Sequence, residues 1–418
     1  MARNNKAEAD PSKEFEQIAL EAGRVFTPAT PVNEKELFAG RMEQIRRTVD
    51  AINTRGQHVV IFGERGVGKT SLGNVLSSKL TAPGSVVLAQ RINCDTTDDF
   101  ASLWRKIFSQ VELIQQTRAV GFQGKPSQVF TAASEGLPKK ITPEDVRKVL
   151  SRLSDNNIVF AIFDEFDRLE DQKARRTMAD TIKLLSDHDI RATVIVIGVA
   201  DTVDDLIAEH QSIERALVQI QMPRMSLSEL NEILNKGTAR LGMKIVDAVK
   251  NEISMLSQGL PHYAHLLGLH ASRQALDSHV MEIGIDHVKD AIASAVRDTQ
   301  QSLQSDYRKA TTSPQKDNIY AQVLLACALA MPDDFGYFAA ASVRGPLSGV
   351  MGKNYEIPSF AKHLNDFCQT GRGAVLKKSG VKHKFRYRFS NPLMQPLIIM
   401  KGLIDGRIDA TALEPTNN

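Results

Sequence analysis

The sequence predicts an α/β protein: a parallel-sheet core, then an all-helical unit, then a C-terminal unit that closes on a basic hairpin. Three observations predict it. Between Gln57 and Pro223, short continuous apolar runs alternate with helical patterns, and such runs mark strands covered on both faces. From Ser226 to Thr299 the apolar spacing is helical, with Leu230, Ile233, Leu234 and Leu241 on one stripe and no strand pattern. The last unit carries three helical patterns and then two strand patterns around Ser379-Gly380.

The boundaries follow from composition. Residues 1–30 read as a polar arm with one short amphipathic stretch, and 31–225 as the α/β unit. Within it the strand patterns are His58–Phe62, Ser85–Leu88, Ile158–Phe163 and Ala192–Ile197, and Gly121–Pro143 reads as a long surface insertion. Residues 226–299 read as a helical domain, 300–316 as a polar linker containing Pro314, 317–408 as the C-terminal unit and 409–418 as a polar tail.

Composition narrows the class. Over 418 residues, 42% are hydrophobic and 24% charged, which excludes global disorder. Lys plus Arg is 52 against 49 Asp plus Glu, so a net charge of +3 identifies no polyanion partner, and any basic surface has to be local. The N-terminus has no apolar export segment, and no run reaches the roughly 20 apolar residues of a membrane helix, so a cytoplasmic location is expected. Cys94, Cys327 and Cys368 lie far apart, which fits reduced thiols rather than a metal site or a disulfide framework.

The strongest signal is Gly63-Glu64-Arg65-Gly66-Val67-Gly68-Lys69-Thr70, with Ser71 after it. It has the GxxxxGK[ST] spacing of a P-loop and lies between a strand and a helix pattern. The glycines turn backbone amides toward phosphate, and the helix N-terminus adds its dipole. Lys69 is expected to reach the β- and γ-phosphates of ATP and Thr70 to ligate Mg²⁺. A second strand ends in Asp164-Glu165, at the sheet edge where the P-loop opens. There Asp164 is expected to hold Mg²⁺ and Glu165 to polarise the attacking water, with Asp167 and Arg168 as surface or structural charges.

Leu37-Phe38-Ala39-Gly40-Arg41, upstream of the P-loop, resembles the entry motif of AAA+ ATPases of the origin-recognition and replication-initiator type, and also looks like the related STAND signalling ATPases. The resemblance implies that Phe38, Gly40 and Arg41 pack beside the adenine. The strand Val194–Val199 resembles the one carrying the family's sensor-1 residue, with Asp201 and Thr202 both candidates. Ser212-Ile213-Glu214-Arg215 looks like the arginine-finger box, which implies that Arg215 reaches a neighbouring subunit's γ-phosphate in a homo-oligomer. The lid motif Gly259-Leu260-Pro261-His262 has His262 where the family usually has the sensor-2 Arg. An imidazole cannot form that bidentate fork, so slow hydrolysis is expected at this position beside Pro261.

From Gly371 to Arg388 the chain has seven basic residues and no acid. Helices followed by a basic hairpin resemble the winged-helix domain of the origin-recognition family. Alternation sends Phe385, Tyr387 and Phe389 to a core face and Lys384, Arg386 and Arg388 to the other. With Lys377, Lys378 and Lys382, and with Lys362 and Asn365 on the preceding helix, they are the expected contacts to double-stranded DNA. The expectation is therefore an AAA+ ATPase that engages DNA. The alternatives are a STAND-like switch acting on a protein partner, in bacterial defence or signalling, or a transposition-helper ATPase.

Overall fold

The computed structural model describes residues 11–31, 38–79, 86–117, 127–155, 157–207, 213–315, 317–381 and 384–413. Helices α1 (Pro11–Val25) and α2 (Met42–Asn53) precede strand β1 (His58–Gly63). Helix α3 (Lys69–Lys79), strand β2 (Val86–Asn93) and helix α4 (Phe100–Ser109) follow. Strands β3 (Glu112–Thr117) and β4 (Ser127–Ala132) pair antiparallel, β4 within the region read as an insertion and β3 ahead of it, before helix α5 (Pro143–Ser154). Strand β5 (Asn157–Asp164), helix α6 (Gln172–Asp187) and strands β6 (Ala192–Val199) and β7 (Leu217–Gln221) complete the α/β part.

Local chemistry sets where these helices begin. Asp99 with Ser102 and Thr142 with Asp145 form reciprocal capping boxes ahead of α4 and α5, and Pro143 supplies the preset φ of a first helical turn.

The five strands pair in parallel, in the order β2-β5-β6-β1-β7. Strand β6 thus separates the P-loop strand from the strand that ends in Asp164. All carboxyl ends open on one edge, where ligands of open α/β sheets bind. The sheet is covered on both faces, as its continuous apolar runs predict. Val60, Phe62, Val159, Ala161, Phe163 and Val196 pack into one core with Trp104 of α4 and Met178 of α6. Val59, Ile61, Ile162, Ile195 and Ile197 face a second core, which continues into the rest of the chain.

That rest begins with helix α7 (Leu227–Arg240), capped by Ser226 and Glu229. Strand β8 (Lys244–Ile245), helices α8 (Asp247–Leu256) and α9 (Pro261–Asp277), strand β9 (Glu282–Ile283) and helix α10 (Ile285–Arg297) follow. The region read as all-helical therefore contains a parallel pair, β8 with β9, of two residues each. Strands that short carry no periodicity to read.

Two readings of the chain's ends and joints change. The N-terminal arm is helical as α1 and packs on α7 and α9. Phe26 is fully buried where Gly237 and Gly268 have no side chain: a Cβ would lie 2.3 Å from its ring at Gly237 and 2.7 Å at Gly268. The segment read as a linker forms helix α11 (Gln301–Thr311), with Leu303 and Ala310 buried two turns apart and the polar residues between them mostly outward. So sparse an apolar face reads as linker by composition.

The C-terminal unit runs helix α12 (Tyr320–Leu329), strand β10 (Phe338–Ala339), helices α13 (Ala340–Met351) and α14 (Ile357–Asp366), strands β11 (Leu376–Ser379) and β12 (Arg386–Phe389) and helix α15 (Met394–Ile404). Its strands form an antiparallel sheet in the order β10-β12-β11. Among the described residues no helix is long and apolar enough to cross a membrane.

Candidate nucleotide-binding site

The loop after β1 turns through Gly63, Gly66 and Gly68, all at positive φ, a region favoured by residues without a Cβ. Helix α3 begins at Lys69, so its first amides point into a cavity of about 670 Å³. Arg65, Gly66, Gly68, Lys69, Thr70 and Ser71 line that cavity. The buried Lys69 ammonium donates to two loop carbonyls, Gly63 O at 3.0 Å and Glu64 O at 2.8 Å. Burial lowers its pKa to about 8, against the opposing pull of Asp167, Asp164 and Glu64.

Three residues of the loop lie off the cavity wall: Gly63, Glu64 and Val67. Gly63 sits where a Cβ would meet Met222 O at 2.4 Å, so its place is fixed by the approach of the chain after β7. Glu64, expected to touch nucleotide, instead pairs with Arg224. The Val67 side chain is buried, and its carbonyl accepts from Arg41.

The acidic end of β5 meets the same cavity. Asp164 is buried, with Oδ1 accepting from the Glu165 amide at 2.8 Å and Oδ2 accepting from Arg91 at 2.7 Å. Glu165 turns the chain at φ 55, sparsely populated for a side chain with a Cβ, and its Oε2 accepts from Arg168 at 2.9 Å. Asp167 and Arg168, read as surface or structural charges, both line the cavity, and Asp167 accepts from the Val199 amide at 2.8 Å. At the end of β6 the wall is Gly198 and Val199. Neither sensor-1 candidate reaches it: Asp201 is taken by Arg388 and Tyr337, and Thr202 by Asp205.

Phe38 and Arg41 also line the cavity. Arg41 is 2% exposed and donates to Val67 O at 3.0 Å and Pro223 O at 2.6 Å, and burial lowers its pKa. Gly40 is not in the wall, and its amide donates to Glu232 at 2.9 Å. Pro261 and His262 at the start of α9 are in the wall. The His262 ring donates through Nδ1 to Pro28 O at 2.8 Å, and burial keeps its pKa below the ordinary value. His265 accepts from the Thr27 amide at 3.3 Å, and burial lowers its pKa to about 4.

Residues 27–31 therefore form a wall of this cavity, held there by the buried Phe26 before them. Sequence reading missed them by treating residues 1–30 as an arm; the isolated Phe26 ahead of Pro28 and Pro31 was the available signal. Leu393, in the C-terminal unit, also lines the cavity, and its carbonyl accepts from Tyr263 Oη at 2.6 Å. Arg215 is exposed and off the cavity, with no ion pair among the described residues.

The expected nucleic-acid contacts lie elsewhere. Lys362, Asn365, Lys377, Lys378, Lys384 and Arg386 are exposed. Lys382 lies outside the described residues. Lys378 donates to Asn365 at 2.8 Å and covers the ring of Phe385, which is partly buried, while Tyr387 and Phe389 are core. The two arginines of β12 are engaged within the chain: Arg386 pairs with Asp333, and half-buried Arg388 pairs with Asp201 and lies over Tyr337.

The cavity fits a nucleoside triphosphate, with an amide cradle, a buried ammonium and two neighbouring carboxylates. A magnesium ion carried by that nucleotide would find Thr70 and Asp164 as its protein contacts. The parallel sheet, its strand order and the P-loop define an α/β P-loop fold of the AAA+ kind. Residues 52–207 match the family model described as an AAA domain.

No curated protein sequence matches the chain significantly. Among solved structures, it is similar to the ORC2 protein of Aeropyrum pernix in ADPNP–ADP complexes, at 14% identity over 92% of this chain and 98% of that one, with a TM-score of 0.49. It is similar to the Walker-type ATPase PABY2304 of Pyrococcus abyssi, at 14% identity over 90% and 99%, with a TM-score of 0.48. The Aeropyrum pernix ORC1 protein in complex with DNA gives 14% identity over 92% and 97%, with a TM-score of 0.46.

Proposed function

We propose that this chain is a cytoplasmic, Mg²⁺-dependent AAA+ ATPase that couples ATP binding and hydrolysis to engagement of double-stranded DNA through its C-terminal unit. The observation that carries the reading is the meeting of Lys69, Asp164 and Glu165 on one cavity, although β6 separates their strands. Lys69 leaves its two loop carbonyls for the β- and γ-phosphates. Glu165 leaves Arg168 and orients the water that attacks the γ-phosphorus in line. A magnesium ion held by Thr70 and Asp164 would supply positive charge to offset the charge that develops there. With neutral His262 in place of a lid arginine, turnover is slow. Arg215 serves a neighbouring copy in the ATP state, a role supported by its exposure and its distance from its own cavity.

The C-terminal unit acts as a winged helix. Lys377, Lys378 and Lys384 lie on phosphates, and Lys362 and Asn365 enter the groove, a set whose exposure supports the assignment. A second reading, a nucleotide-dependent switch for a protein partner, is favoured by one observation: the β12 arginines are already neutralised by Asp333 and Asp201.

The test pairs two assays. Glu165→Gln is expected to keep ATP binding while turnover falls by about two to four orders of magnitude, and unchanged turnover removes Glu165 from the mechanism. Fluorescence anisotropy with labelled duplex at low salt is expected to show binding that Lys377→Ala/Lys378→Ala/Lys384→Ala loses. Absence of binding by the wild type excludes the DNA reading and leaves the switch, and equal binding by the triple variant takes the contact off the hairpin lysines.

A further inference from the structure

Arg91 lies near the end of β2, one of the two edge strands of the five-stranded sheet, and its side chain reaches toward Asp164 on β5 and Asn74 on α3. Its Nη1 donates to Asn74 Oδ1 at 2.5 Å. Its Nη2 donates to Asp164 Oδ2 at 2.7 Å and to Asn93 Oδ1 at 3.0 Å. Nε is buried with no partner among the described residues. Helix α3 approaches closely here because residue 73 is glycine: a Cβ would lie 3.0 Å from Ile197 and 3.6 Å from Arg91 Nε. The guanidinium thus ties the helix that starts at Lys69 to the strand that ends at Asp164.

Both Asp164 oxygens already accept a hydrogen bond, one from the Glu165 amide and one from Arg91. The carboxylate side chain is 2% exposed and that of Arg91 20%, so solvent screens the pair weakly. A divalent cation arriving alone at Asp164 meets a resident positive charge within a few ångströms. A cation arriving on nucleotide phosphates brings negative charge that offsets it.

We propose that Arg91 is a positioning residue of this site: it fixes the Asp164 carboxylate to the P-loop helix, and its charge makes divalent-cation entry depend on the nucleotide. The inference rests on the reading of Asp164 as a metal-holding carboxylate.

Electron paramagnetic resonance of Mn²⁺ titrated into the full chain tests it, with and without a non-hydrolysable ATP analogue. Wild type is expected to bind Mn²⁺ weakly alone and tightly with the analogue. Arg91→Gln, which keeps a donor and removes the charge, is expected to bind nucleotide-free Mn²⁺ about tenfold more tightly. Arg91→Lys is expected to remain near wild type. Thermal unfolding checks each fold, and Arg91→Met, also uncharged, replaces the Gln variant if that one does not fold.

Equal nucleotide-free Mn²⁺ affinity in wild type and the folded uncharged variant overturns the proposal. So does a gain that persists when Asp164→Asn is added. Asp164→Asn alone separates the underlying reading: unchanged Mn²⁺ binding with the analogue removes Asp164 from the metal site whatever Arg91 does.

Discussion

The guanidinium of Arg224 holds the Glu64 carboxylate of the P-loop at two points, Nε to Oε2 at 2.7 Å and Nη2 to Oε1 at 3.0 Å. Its remaining nitrogen donates to Gln258 O at 3.1 Å and to Gln395 Oε1 at 2.6 Å. Gln395 lies on α15 and donates to Ala328 O at 2.8 Å. One arginine thereby joins the P-loop, the turn ahead of α9 and the C-terminal unit.

Removing that arginine leaves a buried carboxylate without its partner. Arg224→Ala is expected to destabilise the chain by about 3 kcal/mol, the range for breaking a buried pair. Gln395→Ala leaves the Glu64 pair intact and is expected to cost about 1 kcal/mol, the net value of ordinary hydrogen bonds. Urea unfolding midpoints at constant slope measure both, and equal losses would place the main interaction at Gln395 instead.

Phe26 links stability to ligand binding. Phe26→Ala empties the space against Gly237 and Gly268 and is expected to cost about 3–5 kcal/mol. It also frees the wall formed by residues 27–31, so nucleotide affinity is expected to fall with stability. Calorimetric titration with ADP checks this; unchanged affinity in the folded variant would remove the N-terminal segment from the site.

Lys69 is expected to make nucleotide affinity depend on pH. Burial lowers its pKa to about 8 in the free protein, and phosphate beside the ammonium raises it again in the complex. Below pH 8 both states are protonated and affinity is flat. As pH rises through 8 the free protein loses the proton that the complex retains, so affinity falls and binding takes up protons. ADP titrations from pH 7 to pH 9.5, in buffers of different ionisation enthalpy, measure both effects. Affinity that is flat across the range would show that Lys69 stays charged in the free protein.

The parallel sheet, the P-loop between strand and helix, and Asp164-Glu165 at a strand end were legible because each is a local pattern of the chain. What stayed hidden is held by pairings between distant residues. Arg91 reads as one more charge in a strand until β2 is laid beside β5. Phe26 reads as a stray aromatic in a polar arm until Gly237 and Gly268 are brought together. Leu393 belongs to a different unit from the cavity it lines. Asp201, weighed as a polar contact to nucleotide, is turned away by Arg388, and nothing within ten residues of either signals the other.

That Asp201–Arg388 pair has a consequence for how a polyanion is received. Were a duplex phosphate to take Arg388, the counterion released from the duplex would be offset in part by a cation taken up at the vacated Asp201. The same holds for Arg386 and Asp333. On the proposed DNA reading, the salt dependence is expected to be set mainly by the lysines of the hairpin and α14, with a slope short of what the basic residues from Arg372 to Arg388 would give if all were free. Asp201 lies just beyond β6, the strand between the P-loop strand and the strand of Asp164, so opening its pair with Arg388 would leave a carboxylate unpaired beside that sheet edge.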